Sequence, residues 1–364
     1  MKPVANPPNP YTSRHAEWLE PPPAARVEVY EETARSILSE NDSPDLPFRW
    51  SVNPYRGCQH ACAYCYARPY HEFLELGAGT DFDTKLVVKI NAPELLADAF
   101  ARKSWRREAV NFSGVTDCYQ PLEAVWLLTR RCLEVCVDHH NPAIVVTKGY
   151  LVVRDADLLA ELNRRAGATV YISVPFASDK TARGIEPQAP PPSRRFAAIR
   201  RLCESGVPVG VLVAPVIPGL SDSEIPEILA RAADAGATSA SFVALRLPES
   251  VQPVFWERLK QTMPLRAERI EKRIRDIRGG QLNNTGFGRR MTGEGVYWDG
   301  VRRLFEVSAV KVGLERLRSP NPQATAAACG GANASRPGEP DLAELVSRES
   351  SRRSAESDQM TFGF

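Results

Sequence analysis

No apolar run in this chain approaches the ~20 residues of a membrane span, and the opening stretch MKPVANPPNPYTSRHAEW lacks the apolar core of a secretory signal. The two absences predict a cytoplasmic chain without a membrane partner, in a compartment where thiols stay reduced. No GxGxxG turn follows the first strand-like run, which argues against a doubly wound dinucleotide-binding sheet. No second C-x2-C pair is present to complete a four-ligand structural zinc site. Net charge is only +2, so the molecule as a whole is not an evident polyanion binder.

What is present is a globular composition. Of 364 residues, 43% are hydrophobic and 25% charged, enough to build one large core or two ordinary ones without disulfides. The charge is uneven. Residues 250–320 hold 15 Lys+Arg against 8 Asp+Glu, an excess of +7, whereas residues 1–50 hold 5 against 8, or −3. A basic segment suits a nucleic-acid or phosphate-bearing partner, and it equally suits long solvated helices.

Apolar, β-branched runs occur at Phe48–Asn53, Val110–Ser113, Ala143–Thr147, Thr169–Pro175, Val207–Pro215 and Ser239–Leu245, each bounded by Gly, Pro or Asp. Helical patterns alternate with them at Pro121–His140, Asp155–Ala166, Ser193–Ser205 and Asp222–Ala235, and Gly167 and Gly206 stand where two of these helices should stop. Strand–helix alternation implies parallel strands joined by crossover helices. The expected fold is therefore α/β, a partial (β/α)6 TIM-like barrel over residues 48–248. Residues 1–47, rich in Pro and acidic residues, read as an extended N-terminal arm. Residues 249–319 read as a basic helical cap with a helix at Arg266–Arg278, a Gly-rich loop, and a last helix from about Val296 to Leu317. Residues 320–364 read as a disordered tail whose apolar end QMTFGF could tether back. The run Lys85–Asn91 has no place in the count of six and reads as an added edge strand.

The most informative local feature is GCQHACAYCYA, in which Cys58, Cys62 and Cys65 have the spacing C-x3-C-x2-C. A zinc site would want a fourth ligand, and a disulfide inside so short a loop would be strained. Three thiolates on a tight loop can grip three irons of a 4Fe-4S cluster and leave the fourth open to a small-molecule ligand. Cys58 follows the first strand directly, so the loop falls at the C-terminal mouth of the barrel, where barrel chemistry gathers.

The loop, with Tyr64 before its last cysteine, resembles the radical S-adenosylmethionine (SAM) superfamily. NPYRGCQHACAYCYARPYHEF, SGVTDCYQPLE, VVTKGYLVVRDADLL, ISVPF, VLVAPVIPGLSDSEIP and FGRRMTGEGVYWD are similar to bacterial radical SAM proteins grouped near spore photoproduct lyase, a DNA-repair enzyme. The resemblance implies a 4Fe-4S cluster on Cys58, Cys62 and Cys65 whose open iron chelates SAM, reductive cleavage of SAM to a 5′-deoxyadenosyl radical, and hydrogen abstraction from a substrate. It implies a SAM cradle at successive strand ends: Ser113, Gly114, Thr116 and Asp117 near the amino end and ribose, Lys148 at the carboxylate, Ser173 after the fourth strand as a cradle serine, and Ala214, Pro215 and Val216 around the adenine. Taken singly, Ser113 and Gly114 could make a turn, Asp117 could cap a helix and Lys148 could be a solvated lysine. A reductant such as a flavodoxin or ferredoxin is implied as a partner, and the oligomeric state is left open.

The lyase returns a hydrogen atom from a cysteine near the end of its second strand, and the matching place here is Val115. Tyr66 follows the last cluster cysteine as a tyrosine does in the lyase, and Cys118, three residues beyond Val115, is either a relocated hydrogen donor or a buried small hydrophobe. Cys132 and Cys136, at i and i+4, read as core packing, while Cys203 sits in an apolar helix and Cys329 in the tail; no second cluster is expected. The functional expectation is a radical SAM enzyme acting on an unknown substrate, with a nucleic-acid base as one class. The alternative is an iron–sulfur or SAM-binding redox sensor.

Overall fold

All six predicted barrel strands form, and they lie side by side in chain order. The structure is a computed structural model, and it describes residues 5–12 and 26–316, which belong to one compact unit. The calls on residues 320–364, including QMTFGF and Cys329, lie outside the described residues.

In chain order the strands are β1 (Glu28–Glu32), β2 (Leu38–Glu40), β3 (Trp50–Val52), β4 (Tyr55–Arg56), β5 (Lys85–Lys89), β6 (Val110–Phe112), β7 (Ala143–Thr147), β8 (Ala168–Ser173), β9 (Val209–Val216), β10 (Ser239–Ala244) and β11 (Glu315–Arg316). The main sheet runs β11-β10-β9-β8-β7-β6-β3-β2 and does not close on itself. Its six central strands, β3 and β6 to β10, are parallel, as crossover helices demand. This is the α/β partial barrel expected. Registers such as Val52 with Phe112, Phe112 with Val145 and Ser173 with Leu212 bring the C-terminal ends of β3 and β6 to β9 to one rim.

One face of the sheet buries Val145, Val170 and Val211 against helical Leu133, Leu159, Ile199 and Leu229. Each such side chain contributes roughly 1.5–3 kcal/mol by leaving water. The helix Ala156–Arg165 ends at Gly167, whose φ is +106° and whose N–H donates to Leu162 O at 3.0 Å. The helix Pro192–Glu204 ends the same way at Gly206, with φ +80°. Glycine reaches this left-handed backbone without the Cβ clash, which is why both stops were legible.

Several elements differ from expectation. Lys85–Lys89 is no edge strand of the barrel: it is the middle strand of a separate sheet ordered β1-β5-β4. Part of the arm is likewise regular structure, since β1 pairs parallel with β5 and β2 pairs antiparallel with β3. The helix predicted over Pro121–His140 is two helices, Glu123–Trp126 and Leu128–Asp138, broken where Leu127 has φ +56°. The last helix, Gly295–Lys311, stops short of Leu317, and the chain then adds β11 beside β10.

Two helices before it, Val251–Thr262 and Pro264–Asp276, lead into the Gly-rich loop. Buried Arg278 staples that loop, donating to the carbonyls of Leu245 (2.6 Å), Thr292 (2.5 Å) and Arg289 (3.0 Å). Trp298 and Phe305 pack against Phe242 of β10, with ring centroids 5.8 and 4.4 Å away.

Candidate active site

The chain leaves β4 through Gly57, where φ is +73° and an added Cβ would stand 2.8 Å from Leu86 Cδ2 and 2.9 Å from Phe82 O. The N–H of Cys58 then donates to Phe82 O at 2.9 Å, and the N–H of Ala63 donates to Ile185 O at 2.9 Å. Arg68, 1% exposed, closes the loop: its guanidinium donates to Cys62 O at 3.0 and 3.2 Å, to Ala78 O at 2.8 Å, and to Asp83 Oδ1 at 2.9 Å. Burial pushes the Asp83 carboxyl up to about 6, against the pull of Arg68. The loop is thus held through its backbone, and its three thiols stay free.

Cys58 and Cys62 are buried and Cys65 partly so. Burial is the main force on each thiol and pushes all three up, so uncompensated thiolates here would be costly. Nearby cations act the other way, Lys148 on Cys62 and Cys65 and Arg68 on Cys65. A bound metal would supply the missing positive charge and deprotonate the thiols. Among the described residues no three His, Cys, Asp or Glu side chains converge on a single ion. A cluster does not ask that of them, because each thiolate takes its own iron corner. The donor set therefore fits a 4Fe-4S cluster.

A second loop, after β6, clamps the first. Thr116 Oγ1 donates to Gly57 O at 2.5 Å, and Gln120 Nε2 donates to the same carbonyl at 3.1 Å while its Oε1 accepts from Gln59 N at 3.0 Å. Asp117 accepts from Thr147 Oγ1 (2.5 Å), Lys148 N (2.8 Å) and Tyr119 N (2.9 Å), and its Oδ2 lies 3.3 Å from His60 Nδ1. Burial would raise its pKa, but neighbouring His60 and these hydrogen bonds outweigh burial and hold the carboxyl well below the usual range. With four internal neighbours around two oxygens, the carboxylate read as a SAM contact is already engaged within the protein.

A third group joins the loop to the next strand ends. The Tyr64 hydroxyl donates to Glu186 Oε1, and Arg195 Nη2 donates to Glu186 Oε2. Arg195 also donates to Ser173 O at 3.0 Å, and Ser173 Oγ donates to Ala214 O at 2.8 Å. Burial acts to raise Glu186, yet the charges of Arg195 and Lys148 hold it below its ordinary value. The Lys148 ammonium lies 5.6 Å from the centre of the Tyr64 ring. Burial works against its charge, but neighbouring Cys62 and Glu186 keep its pKa above the ordinary value. Among the described residues Lys148 Nζ has no hydrogen bond or ion pair, so it is free for a ligand anion.

The structure brings Cys58, Cys62, Cys65, Tyr64, Asp117 and Lys148 together, with Ser173 and Ala214 joined to them through Arg195. Gly114, with φ +154°, and Ser113, with φ +110°, form the turn between β6 and the clamp, and Ser113 Oγ donates to Val146 O at 2.6 Å. Pro215 and Val216 continue β9, Val216 fully buried. Tyr66 lies at the rim, 47% exposed. Of the two readings of Cys118, hydrogen donor or buried small hydrophobe, the packing matches the second: it is fully buried in the apolar core, its thiol 3.9 Å from Phe112 O and 3.5 Å from Ser113 Oγ. Cys132 and Cys136 are core residues as read. Sequence reasoning missed Glu186, Arg195, Arg68 and Gln120. Arg68, three residues after Cys65, had a positional signal, whereas Glu186 and Arg195 had none.

Comparison with known proteins follows the same lines. Residues 52–232 match the profile of the Radical SAM superfamily. Uncharacterised proteins of Mycobacterium tuberculosis and Mycobacterium bovis are 38% identical over 232 residues, covering 63% of this chain and 68% of theirs. An uncharacterised protein of Methanocaldococcus jannaschii is 28% identical over 200 residues, 55% of this chain and 72% of its own. Among solved structures, spore photoproduct lyase complexed with dinucleoside spore photoproduct superposes with a TM-score of 0.59 at 15% identity, covering 79% of this chain and 81% of the lyase. A lyase mutant with bound AdoMet and the same dinucleoside gives the same score and coverage. With a free thiol tripod at the mouth of a six-stranded partial barrel and this family match over the same residues, the chain belongs to the radical SAM superfamily.

Proposed function

We propose that this chain is a radical SAM enzyme whose substrate is a nucleic-acid base. The observation that carries the first part is the pairing of three free, backbone-held thiols with a lysine at the same barrel mouth that, among the described residues, makes no hydrogen bond or ion pair. Cys58, Cys62 and Cys65 would hold a 4Fe-4S cluster. When bound, the cluster and SAM supply reductive cleavage of the sulfonium, giving a 5′-deoxyadenosyl radical for hydrogen abstraction.

The protein's own work is placement and exclusion. Lys148 offers its free ammonium to the SAM carboxylate, a charge-assisted contact. Tyr64, fixed by Glu186, sets the ring over which that ammonium lies. Asp117 orders the mouth by pinning His60, Thr147 and Lys148 N, and so acts on SAM through them. The hydrogen bond from Ser173 Oγ to Ala214 O joins the β8 and β9 ends, whose backbone would hold the nucleoside. Loop and clamp bury Cys58 and Cys62, which keeps water from the reacting centre.

The nucleic-acid clause is supported by the excess of +7 over residues 250–320 and by the lyase structure that holds a dinucleoside photoproduct. Tyr66, at the rim, would meet substrate, and a flavodoxin or ferredoxin would supply the electron. The test is anaerobic reconstitution, with iron and sulfide assayed and the reduced protein examined by electron paramagnetic resonance, followed by dithionite and SAM. Release of 5′-deoxyadenosine supports an enzyme, and SAM binding without turnover supports a sensor. A reduced protein that is spectroscopically silent and free of iron overturns both.

A further inference from the structure

Beside the mouth, rim residue Tyr66 is followed by exposed aromatic rings that the reading above does not use. Tyr66, Tyr70, Phe73 and Tyr11 are 47%, 49%, 59% and 59% exposed. The rings of Tyr70 and Phe73 have centroids 6.4 Å apart, and Tyr11 lies 4.7 Å from Phe73. Tyr66 is the residue after Cys65, so the row begins at the cluster loop and leads away from it. At its inner end the Arg246 guanidinium lies 5.8 Å from the Tyr66 ring. Beyond, Arg290 lies 4.6 Å over Phe287, a ring 60% exposed.

Several large rings exposed near one another are uncommon on a monomer surface and mark a binding surface. The arginine beside them selects the partner. Among the described residues Arg246 Nε is buried without a hydrogen-bond partner, and Nη1 makes only the weak contact to Met291 Sδ at 3.9 Å. Burial and neighbouring Arg290 both act to lower its pKa, so an approaching anion would relieve it. Rings in a row next to an undersatisfied cation match a chain that repeats base and phosphate. A protein partner would ask instead for a central pocket enclosed by a rim.

We propose that this row is the docking surface for a single-stranded nucleic-acid segment. Its bases stack on Tyr70, Phe73 and Tyr11, a phosphate meets Arg246, and the base next to Tyr66 enters the mouth. A duplex hides its base faces inside the stack and cannot use such a row. The proposal rests on the nucleic-acid reading of the substrate and deepens it.

The test is fluorescence anisotropy of the reconstituted holoprotein with a labelled oligodeoxynucleotide of about 12 nucleotides, within the site sizes of stacking grooves. The single strand should bind more tightly than the same sequence in a duplex. Tyr70→Ser and Phe73→Ser should each weaken it roughly tenfold, and Tyr70→Phe should retain affinity. Arg246→Gln should flatten the dependence on salt. Both serine positions are exposed, and unchanged thermal melts check that the variants are folded. Unchanged affinity in both serine variants, preference for duplex, or saturable binding of a peptide with no strand bound would overturn the proposal. Measuring 5′-deoxyadenosine in parallel separates the two readings. SAM cleavage without strand binding removes the docking surface alone, and strand binding without SAM cleavage removes the radical reading alone.

Discussion

Glu186 stands in the unremarkable sequence GIEP, yet its carboxylate holds both the Tyr64 hydroxyl and the Arg195 guanidinium, with both charged side chains fully buried. A buried pair gains little over an apolar pair, but removing one partner leaves a charge that water cannot reach. Glu186→Gln should therefore cost about 3–5 kcal/mol in urea unfolding, and the double variant Glu186→Leu/Arg195→Leu should cost clearly less. Equal losses in the single and double variants would show that packing, and not charge, sets the effect. The cysteines of the loop were legible because their spacing is itself the chemistry. Cys118 was not, because a thiol five residues after Ser113 can turn to the mouth or to the core, and only the packing around Phe112 decides which.

Elements show the same division. Gly167 and Gly206 close their helices as read, since a positive φ has a residue-level signature. Leu127 also has a positive φ and breaks a predicted helix, but leucine carries no such signature; the N–H groups of Thr129 and Arg130 donate to the Glu123 carboxylate and start the second helix. In the cluster loop, Gly57→Ala meets both a left-handed φ and a contact of 2.8 Å with Leu86. We expect that variant to lose more than about 1 kcal/mol of stability and to incorporate less iron per chain on reconstitution. Full iron content with unchanged stability would show that the loop accommodates a side chain there. Lys85–Lys89 was misplaced because a short apolar run between two lysines announces a strand but not its partners. Pairing with β1 and β4 is a long-range choice.

On the scale of the molecule, buried titratable groups set the response to acid. His71 is 1% exposed, and burial holds its imidazole down to about 4, against an ordinary 6.5. The unfolded chain takes up that proton near pH 6.5 and the folded chain only near 4, so stability present at neutral pH is lost as pH falls through this window. Asp83, pushed up to about 6 by burial, gains its proton earlier in the folded state and opposes the loss. Comparison with His71→Leu isolates the histidine: relative to that variant, the wild type should lose on the order of 3 kcal/mol between pH 6.5 and 4. Parallel melting curves across that range would rule the histidine out. Among the described residues no helix is long and apolar enough to cross a membrane.

From its order of residues alone, this chain determined the alternation of strands and helices, the glycine stops and the thiol tripod, because each depends on neighbours a few positions apart. Tertiary structure decided which side chains meet: Tyr64 with Glu186 across 122 positions of chain, Arg246 with Tyr66, and Tyr11 with Phe73. Such pairs form only when folding closes long loops and excludes water from the gap, and neither event leaves a local pattern to read.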